Sequence, residues 1–148
     1  MIPEFDENGN LPPGVYFCEW EEFKERFGSS FKRKKMIFGL ELAMTQLKAA
    51  GCRTIYINGS FVTSKPNPND FDACYDNETV DINYLRKNAP ELINSFDRQS
   101  QKSKYKGEIF RSDEPVGDLG LNSFEFFQRD RMKNIKGIIA IDLERWEP

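Results

Sequence analysis

The residues of this chain with the clearest chemical potential are Gly59-Ser60 and, a short spacer later, Asp70-Phe71-Asp72-Ala73. Gly59-Ser60 closes an apolar, β-branched run, Thr54-Ile55-Tyr56-Ile57, in a turn. Side chains alternate along a strand, so Asp70 and Asp72 are expected on one face of a short one. Two carboxylates that close repel each other and are retained where a cation sits between them. A hard divalent metal, Mg2+ or Mn2+, suits an all-oxygen donor set and also reaches phosphate. The Gly-Ser turn supplies the complement: closely approaching backbone, free N–H donors and a hydroxyl for a phosphate tail. A phosphate-holding turn ahead of a metal-holding strand reads as phosphoryl or nucleotidyl transfer. Taken alone, Asp-Phe-Asp would be read as a polar strand end, because Pro-Asn and Asn-Asp clusters are ordinary turn material.

At these residues the chain resembles the nucleotidyltransferase superfamily, the group with a polymerase-beta-like catalytic core. The signature is an apolar strand, Gly-Gly or Gly-Ser, a variable spacer, then Asp-apolar-Asp-apolar. Gly59 and Ser60 match the turn, Phe61 to Asn69 the spacer, and Asp70-Phe71-Asp72-Ala73 the acidic strand. Asn58 departs from the pattern, standing where the family has an apolar residue. The opening segment, Ile2-Pro3-Glu4-Phe5-Asp6 through Pro12-Pro13-Gly14, also resembles a small bacterial branch of nucleotidyltransferase-like proteins.

The resemblance implies Asp70 and Asp72 as catalytic metal ligands, with a third carboxylate on a later strand. Asp142, inside Ile139-Ala140-Ile141-Asp142-Leu143, fits that description, although an ordinary salt bridge at a sheet edge is the competing reading. It implies an NTP substrate, ATP first among them, held by Gly59 and Ser60. Chemistry alone adds Lys65 and the alternating Lys102, Lys104 and Lys106 as groups to neutralise phosphate, with Lys104 the candidate nucleotide contact; a solvated face is the alternative.

The chain has 148 residues, which by length is a single domain with material for a core. Its apolar fraction is 39%, enriched by 13 Phe, and its charged fraction is 30%. The formal charge of −3 offers no general attraction to nucleic acid. Histidine is absent, which removes Ser-His-Asp and Cys-His catalysis and every histidine-bearing metal site. Cys18, Cys52 and Cys74 are an odd number without Cys-x-x-Cys spacing, so each reads as a buried small hydrophobe in a reducing cytoplasm. The acidic, proline-bearing start does not resemble a signal peptide and no apolar run reaches membrane-spanning length. A cytoplasmic protein is expected.

The elements that must position these residues are read from periodicity. Trp20, Phe23 and Phe27 mark a short amphipathic helix whose stripe belongs to the core, with residues 1–30 forming an extension packed on it. Lys32 to Ala50 is the strongest helix, with Ile37, Leu40, Met44 and Leu47 on one face and Gly51 as a stop. The Lys32-Arg33-Lys34-Lys35 run at its start is either a polyanion contact or a solvated first turn, the latter favoured by the acidic net charge. Asp81 caps a helix from Ile82 to Lys87, and Pro90 opens a further turn. Residues 97–107 are polar, either extended with the three lysines on one face or a solvated loop, and 113–122 read as a flexible connection. Strands are expected at Arg53–Ile57, Phe71–Tyr75, Phe124–Gln128 and Ile138–Leu143, the last two a hairpin across Arg131-Met132-Lys133-Asn134. The fold expected is α/β (α+β): a mixed, largely antiparallel small sheet backed by helices, nucleotidyltransferase-like.

The leading functional expectation is a minimal Mg2+-dependent nucleotidyltransferase that modifies a protein or tRNA, in a toxin–antitoxin or phage-defence pair with a partner encoded nearby. The alternative is a catalytically silent module on the same fold that binds a protein or nucleic acid. A phosphate-ester hydrolase is a third reading.

Overall fold

The computed structural model of the protein describes residues 1–93, 97–116, 120–129 and 134–148. Its main sheet has the order β1-β7-β2-β3-β4, with β1 at Val15–Phe17, β2 at Thr54–Asn58, β3 at Phe71–Tyr75, β4 at Gly107–Arg111 and β7 at Ile138–Asp142. A second, two-stranded sheet pairs β5 (Pro115–Val116) with β6 (Leu121–Asn122). The helices are α1 (Trp20–Phe27), α2 (Phe31–Ala49), α3 (Ile82–Asn88), α4 (Arg98–Tyr105) and α5 (Ser123–Phe126). The α/β class expected from the sequence is the observed one.

The sheet is evenly mixed rather than largely antiparallel. β2 runs antiparallel to both β3 and β7, while β1 lies parallel to β7 and β4 parallel to β3. A parallel pair requires a long crossover, and α3 and α4 supply it between β3 and β4. One face of the sheet, with Ile55 and Ile57 of β2 and Phe71, Ala73 and Tyr75 of β3, joins the core that also holds Leu40, Met44 and Leu47 of α2. On the other face Tyr56 packs on Phe124, ring centroids 4.7 Å apart. The N-terminal segment is more than an extension, because β1 is an edge of the sheet and Ile2 and Leu11 are buried. Trp20, Phe23 and Phe27 are in the core as expected. Cys52 and Cys74 are buried free thiols pushed up to about 12 by burial, and half-buried Cys18 shares that shift. Among the described residues no helix is long and apolar enough to cross a membrane.

Three expectations require correction. Residues 98–105 are helical, not extended, so Lys102, Lys104 and Lys106 do not share a strand face. Asp97 caps this helix by accepting from Ser100 N at 3.1 Å, and its buried face is Gln101 with Tyr105. Phe124 lies in α5 rather than a strand, because Asn122 and Glu125 form a reciprocal capping box at its start. The connection to β7 contains an antiparallel bridge between Arg129 and Ile135, and the expected turn residues Arg131, Met132 and Lys133 lie outside the described residues. Within 113–122 the described residues form the β5–β6 pair.

Two contacts fix the elements that flank Asp72. Gly39 lets α4 press on α2, since a Cβ there would overlap the Tyr105 carbonyl. Arg33, expected as part of a solvated or polyanion-binding run, is buried. Its guanidinium donates to the carbonyls of Phe27 (3.1 Å), Phe61 (2.7 Å), Thr63 (3.1 Å) and Lys65 (2.6 Å). It also lies 4.9 Å from the centre of the Phe61 ring. One fixed cation thereby holds the loop after Gly59 onto the start of α2. Arg33→Met should lower stability by about 3 kcal/mol, the range for losing charged hydrogen bonds and leaving carbonyls unpaired. Lys34→Met, at an exposed neighbour, should change it by less than about 0.5 kcal/mol. Urea denaturation of the two variants checks this, and equal effects would remove Arg33 from its role as clamp.

Candidate functional site

The site begins where β2 ends. Gly59 has φ +79°, which turns the chain out of the strand into a 3-10 turn, Gly59–Val62. A Cβ at Gly59 would lie 2.5 Å from Asp72 Oδ2, so the aspartate sits directly against this glycine. The register then aligns Asn58 with Asp72 and Asp72 with Glu108 across β2, β3 and β4. Paired residues share a sheet face, so two carboxylates are laterally adjacent on neighbouring strands. Lys102 of α4 reaches them: its Nζ is 3.2 Å from Asp70 Oδ2 and 3.3 Å from Glu108 Oε1.

An open cleft of about 760 Å³ is reached from this row by Asp70 and Asp72, a volume within the usual range for small-molecule sites. Gly59, Ser60, Thr63 and Lys65 line it from the turn, and Asn69, Asp70 and Asp72 from the acidic strand. Phe126, Phe127, Arg129 and Lys136 line it from the α5 end, and Asn10 from the N-terminal segment. That segment is tied to the loop by Ser64 N donating to Gly9 O at 2.9 Å.

Charge in the site is unbalanced. Burial, then the nearby Glu108 and Asp70 carboxylates, pushes Asp72 up to about 7, partly offset by Lys136 and Lys102. Beside it, Asn58 is completely buried and neither its amide nitrogen nor its oxygen has a hydrogen-bond partner. Two unmet polar atoms beside a desolvated carboxylate are costly. Asp70 and Asp72 offer only oxygen donors, as a hard divalent cation prefers, beside the Lys65, Arg129 and Lys136 cations of the same cleft. Among the described residues, however, no three carboxylates or thiols are gathered closely enough to form a metal cage, and the cation between Asp70 and Glu108 is a lysine.

The structure therefore brings together Gly59, Ser60, Lys65, Asp70 and Asp72, and leaves out two of the residues expected with them. Lys104 pairs with Glu91 at 2.9 Å and does not line the cleft. Asp142 is aligned with Thr54, at the opposite end of β2 from Asn58 and Asp72. Four residues of strand separate those positions, roughly 13 Å. Asp142 instead accepts from Glu144 N at 3.0 Å and lines a separate cleft of about 370 Å³ with Cys18, Trp20 and Arg145. The carboxylate that the register places beside Asp72 is Glu108, whose side chain is only 13% exposed. Sequence reasoning missed Glu108, although a carboxylate heading Ile109-Phe110 carries the same apolar flank that drew attention to Asp142.

The raised Asp72 carries a stability signature. Below the ordinary carboxylate range both folded and unfolded chains are protonated there. Between that range and about 7 only the folded protein keeps the proton, so stability falls as pH rises through this window and is lowest above it. The full penalty is on the order of 4 kcal/mol. Asp72→Asn should be more stable than the parent at pH 8, and the difference should vanish near pH 4. Denaturation midpoints across that range measure it; a difference independent of pH would show that Asp72 is ionised throughout.

Residues 3–142, nearly the whole chain, match a family designated DUF6932 and described as a family of unknown function. No curated protein and no solved structure matches the chain. The chain, with its acidic row and left-handed glycine turn, belongs to the DUF6932 family.

Proposed function

We propose that the cleft transfers a nucleoside monophosphate from an NTP to a macromolecular acceptor, protein or tRNA, in a divalent-metal-dependent reaction. The observation that carries this reading is the alignment of Asp72 with Glu108, next to Asp70 and against the left-handed turn at Gly59. Asp70 and Asp72, the two carboxylates that line the cleft, would hold the ion. A bound Mg2+ or Mn2+ would supply charge for the reacting phosphate and ease ionisation of the acceptor hydroxyl. Gly59 lets the backbone come close to the triphosphate, and the Ser60 hydroxyl donates to it. Lys65 and Lys136, both lining the cleft, balance phosphate charge there. Phe126, 40% exposed at the cleft, offers a ring face to the base. ATP is the first nucleotide to test. By its likeness to minimal nucleotidyltransferases, the acceptor belongs with a partner encoded nearby, in a toxin–antitoxin or phage-defence pair.

A second reading has its own support. Lys102 bridges Asp70 and Glu108 where an ion would be held, which favours a catalytically silent module that binds its partner. Both readings are tested by incubating the protein with Mg2+, each α-labelled NTP and a candidate acceptor, following pyrophosphate release and label transfer. Asp70→Asn and Asp72→Asn should each reduce transfer at least about 100-fold while the fold persists, since each removes negative charge at nearly constant volume. Asp142→Asn should stay near the parent rate, and Ser60→Ala should lose about tenfold or less, one hydrogen bond's worth. Should the Asp70→Asn/Asp72→Asn double variant keep its full biological effect, the silent module is the correct reading.

A further inference from the structure

In the basic run at the start of α2, Arg33 is buried while Lys32, Lys34 and Lys35 are exposed. The helix that carries them is apolar on two sides. Met36, Ile37, Leu40, Ala43, Met44 and Leu47 are buried, the role a helix must fill in a small domain. The outer side presents Phe31, 77% exposed, Phe38, 75% exposed, and Leu42, 40% exposed. Single exposed apolar residues are ordinary, but these follow a register. Phe31, Lys35, Phe38, Leu42, Thr45 and Ala49 are all exposed and alternate four and three residues apart along this 19-residue helix. That spacing is the seam one helix offers to another, with Lys35 and Thr45 as its polar positions.

We propose that the outer seam of α2 docks an acidic amphipathic helix of a partner protein. Charge identifies the occupant. Lys32, Lys34 and Lys35 stand at the N-terminal end of the seam, where the helix dipole is also positive and the first turn holds no acidic residue. Lys32 donates to Asn69 Oδ1 at 2.9 Å and Lys35 lies 4.8 Å from the centre of the Phe31 ring, contacts that neutralise neither charge. Glu41, the one acidic residue of α2, is already committed to Trp20 Nε1 at 2.7 Å and to Lys24 at 3.6 Å. A second copy is therefore a poor occupant. A parallel pair would set Lys35 on Lys35, and an antiparallel pair would set the lysines against Thr45 and Ala49, where α2 has no carboxylate. A nucleic-acid strand fits less well too: Phe31 and Phe38 are two turns apart, roughly 10 Å, with Lys35 between them, and the seam continues in Leu42 and Ala49. A helix with carboxylates beside the lysines and apolar residues opposite Phe38 and Leu42 meets both demands. The seam starts next to the cleft, because Asn69, the partner of Lys32, lines it. The docking holds whether the cleft transfers a nucleotide or is silent.

The probe is a fluorescent three-heptad peptide with Leu at its a and d positions and Glu at the flanking e and g positions, its binding followed by anisotropy. One comparator has the same composition in scrambled order, and another has Lys in place of Glu. The parent protein should bind the acidic heptad peptide at least about tenfold more tightly than either comparator. Phe38→Ser removes an exposed ring, so it should melt like the parent yet lose about tenfold or more in peptide affinity. Lys34→Glu/Lys35→Glu should transfer the preference to the lysine peptide. Lys87→Glu, at an exposed site on α3, should bind like the parent, which separates the seam from a general change in charge. No binding by the parent, equal binding of the scrambled peptide, or unchanged affinity in Phe38→Ser would each overturn the proposal. Tighter binding of single-stranded oligouridylate, lost in Phe38→Ser, would assign the seam to nucleic acid and overturn it. A parent dimer in sedimentation that Phe38→Ser dissolves would assign it to a second copy, with the same result.

Discussion

Like charge on adjacent strands is the constraint around which the site is arranged. Asp72 and Glu108 are register partners on β3 and β4, and a pair of carboxylates so placed weakens a sheet instead of stabilising it. The cost is raised further because Asp72 is largely removed from water. Such a row persists only if neighbouring elements hold the strands in register against it. The apolar face of β2 and β3, fully buried with α2, supplies that restraint: Ile55, Ile57, Phe71, Ala73 and Tyr75 are all inaccessible to solvent. The stabilising side of the sheet and the costly side are therefore the same residues' neighbours, alternating along β3.

Positioning is completed by polar groups that act as backbone substitutes. β4 is an edge strand, and Gln101 closes part of that edge with its side-chain amide, donating to Ile109 O at 2.9 Å and accepting from Ile109 N at 3.0 Å. The same amide nitrogen reaches Glu91 O at 2.7 Å, so one glutamine ties α4, the turn after α3 and β4 together. This fixes the strand next to Glu108 and also points the following residue, Lys102, at the acidic row. On the other side Arg33 fixes the loop after Gly59, and Phe61 wedges into the Phe23 and Phe27 cluster. The turn and the carboxylates are thus set by separate anchors on separate helices.

How much of this was legible in the sequence depends on whether the signal is local. Gly59-Ser60 and Asp70-Phe71-Asp72 were legible because turn chemistry and strand alternation are properties of neighbouring residues. α1 and α2 were legible because their buried faces are apolar at helical spacing. α4 was not, because its buried face is carried by Gln101 and Tyr105 among polar residues, and a buried glutamine is indistinguishable by composition from an exposed one. α5 was misread for a different reason: Phe124 and Phe126 alternate like strand residues, and only the Asn122–Glu125 capping box tells otherwise. Which later carboxylate lies beside Asp72 was not legible either, because Asp142 and Glu108 have similar flanks and only register separates them.

Asn58 shows where local pattern and tertiary demand part company. In the resembled pattern that position is apolar, and its burial here is complete, as for an apolar residue. A leucine of similar size would cost nothing in unmatched hydrogen bonds, whereas this asparagine leaves a donor and an acceptor unmet beside Asp72. A fold selected only for stability has no use for that substitution. The same argument separates the two cations of the site. Arg33 answers a permanent demand, four backbone carbonyls, and is buried. Lys102 is half-exposed and pairs with Asp70 and Glu108 through side-chain contacts open to solvent.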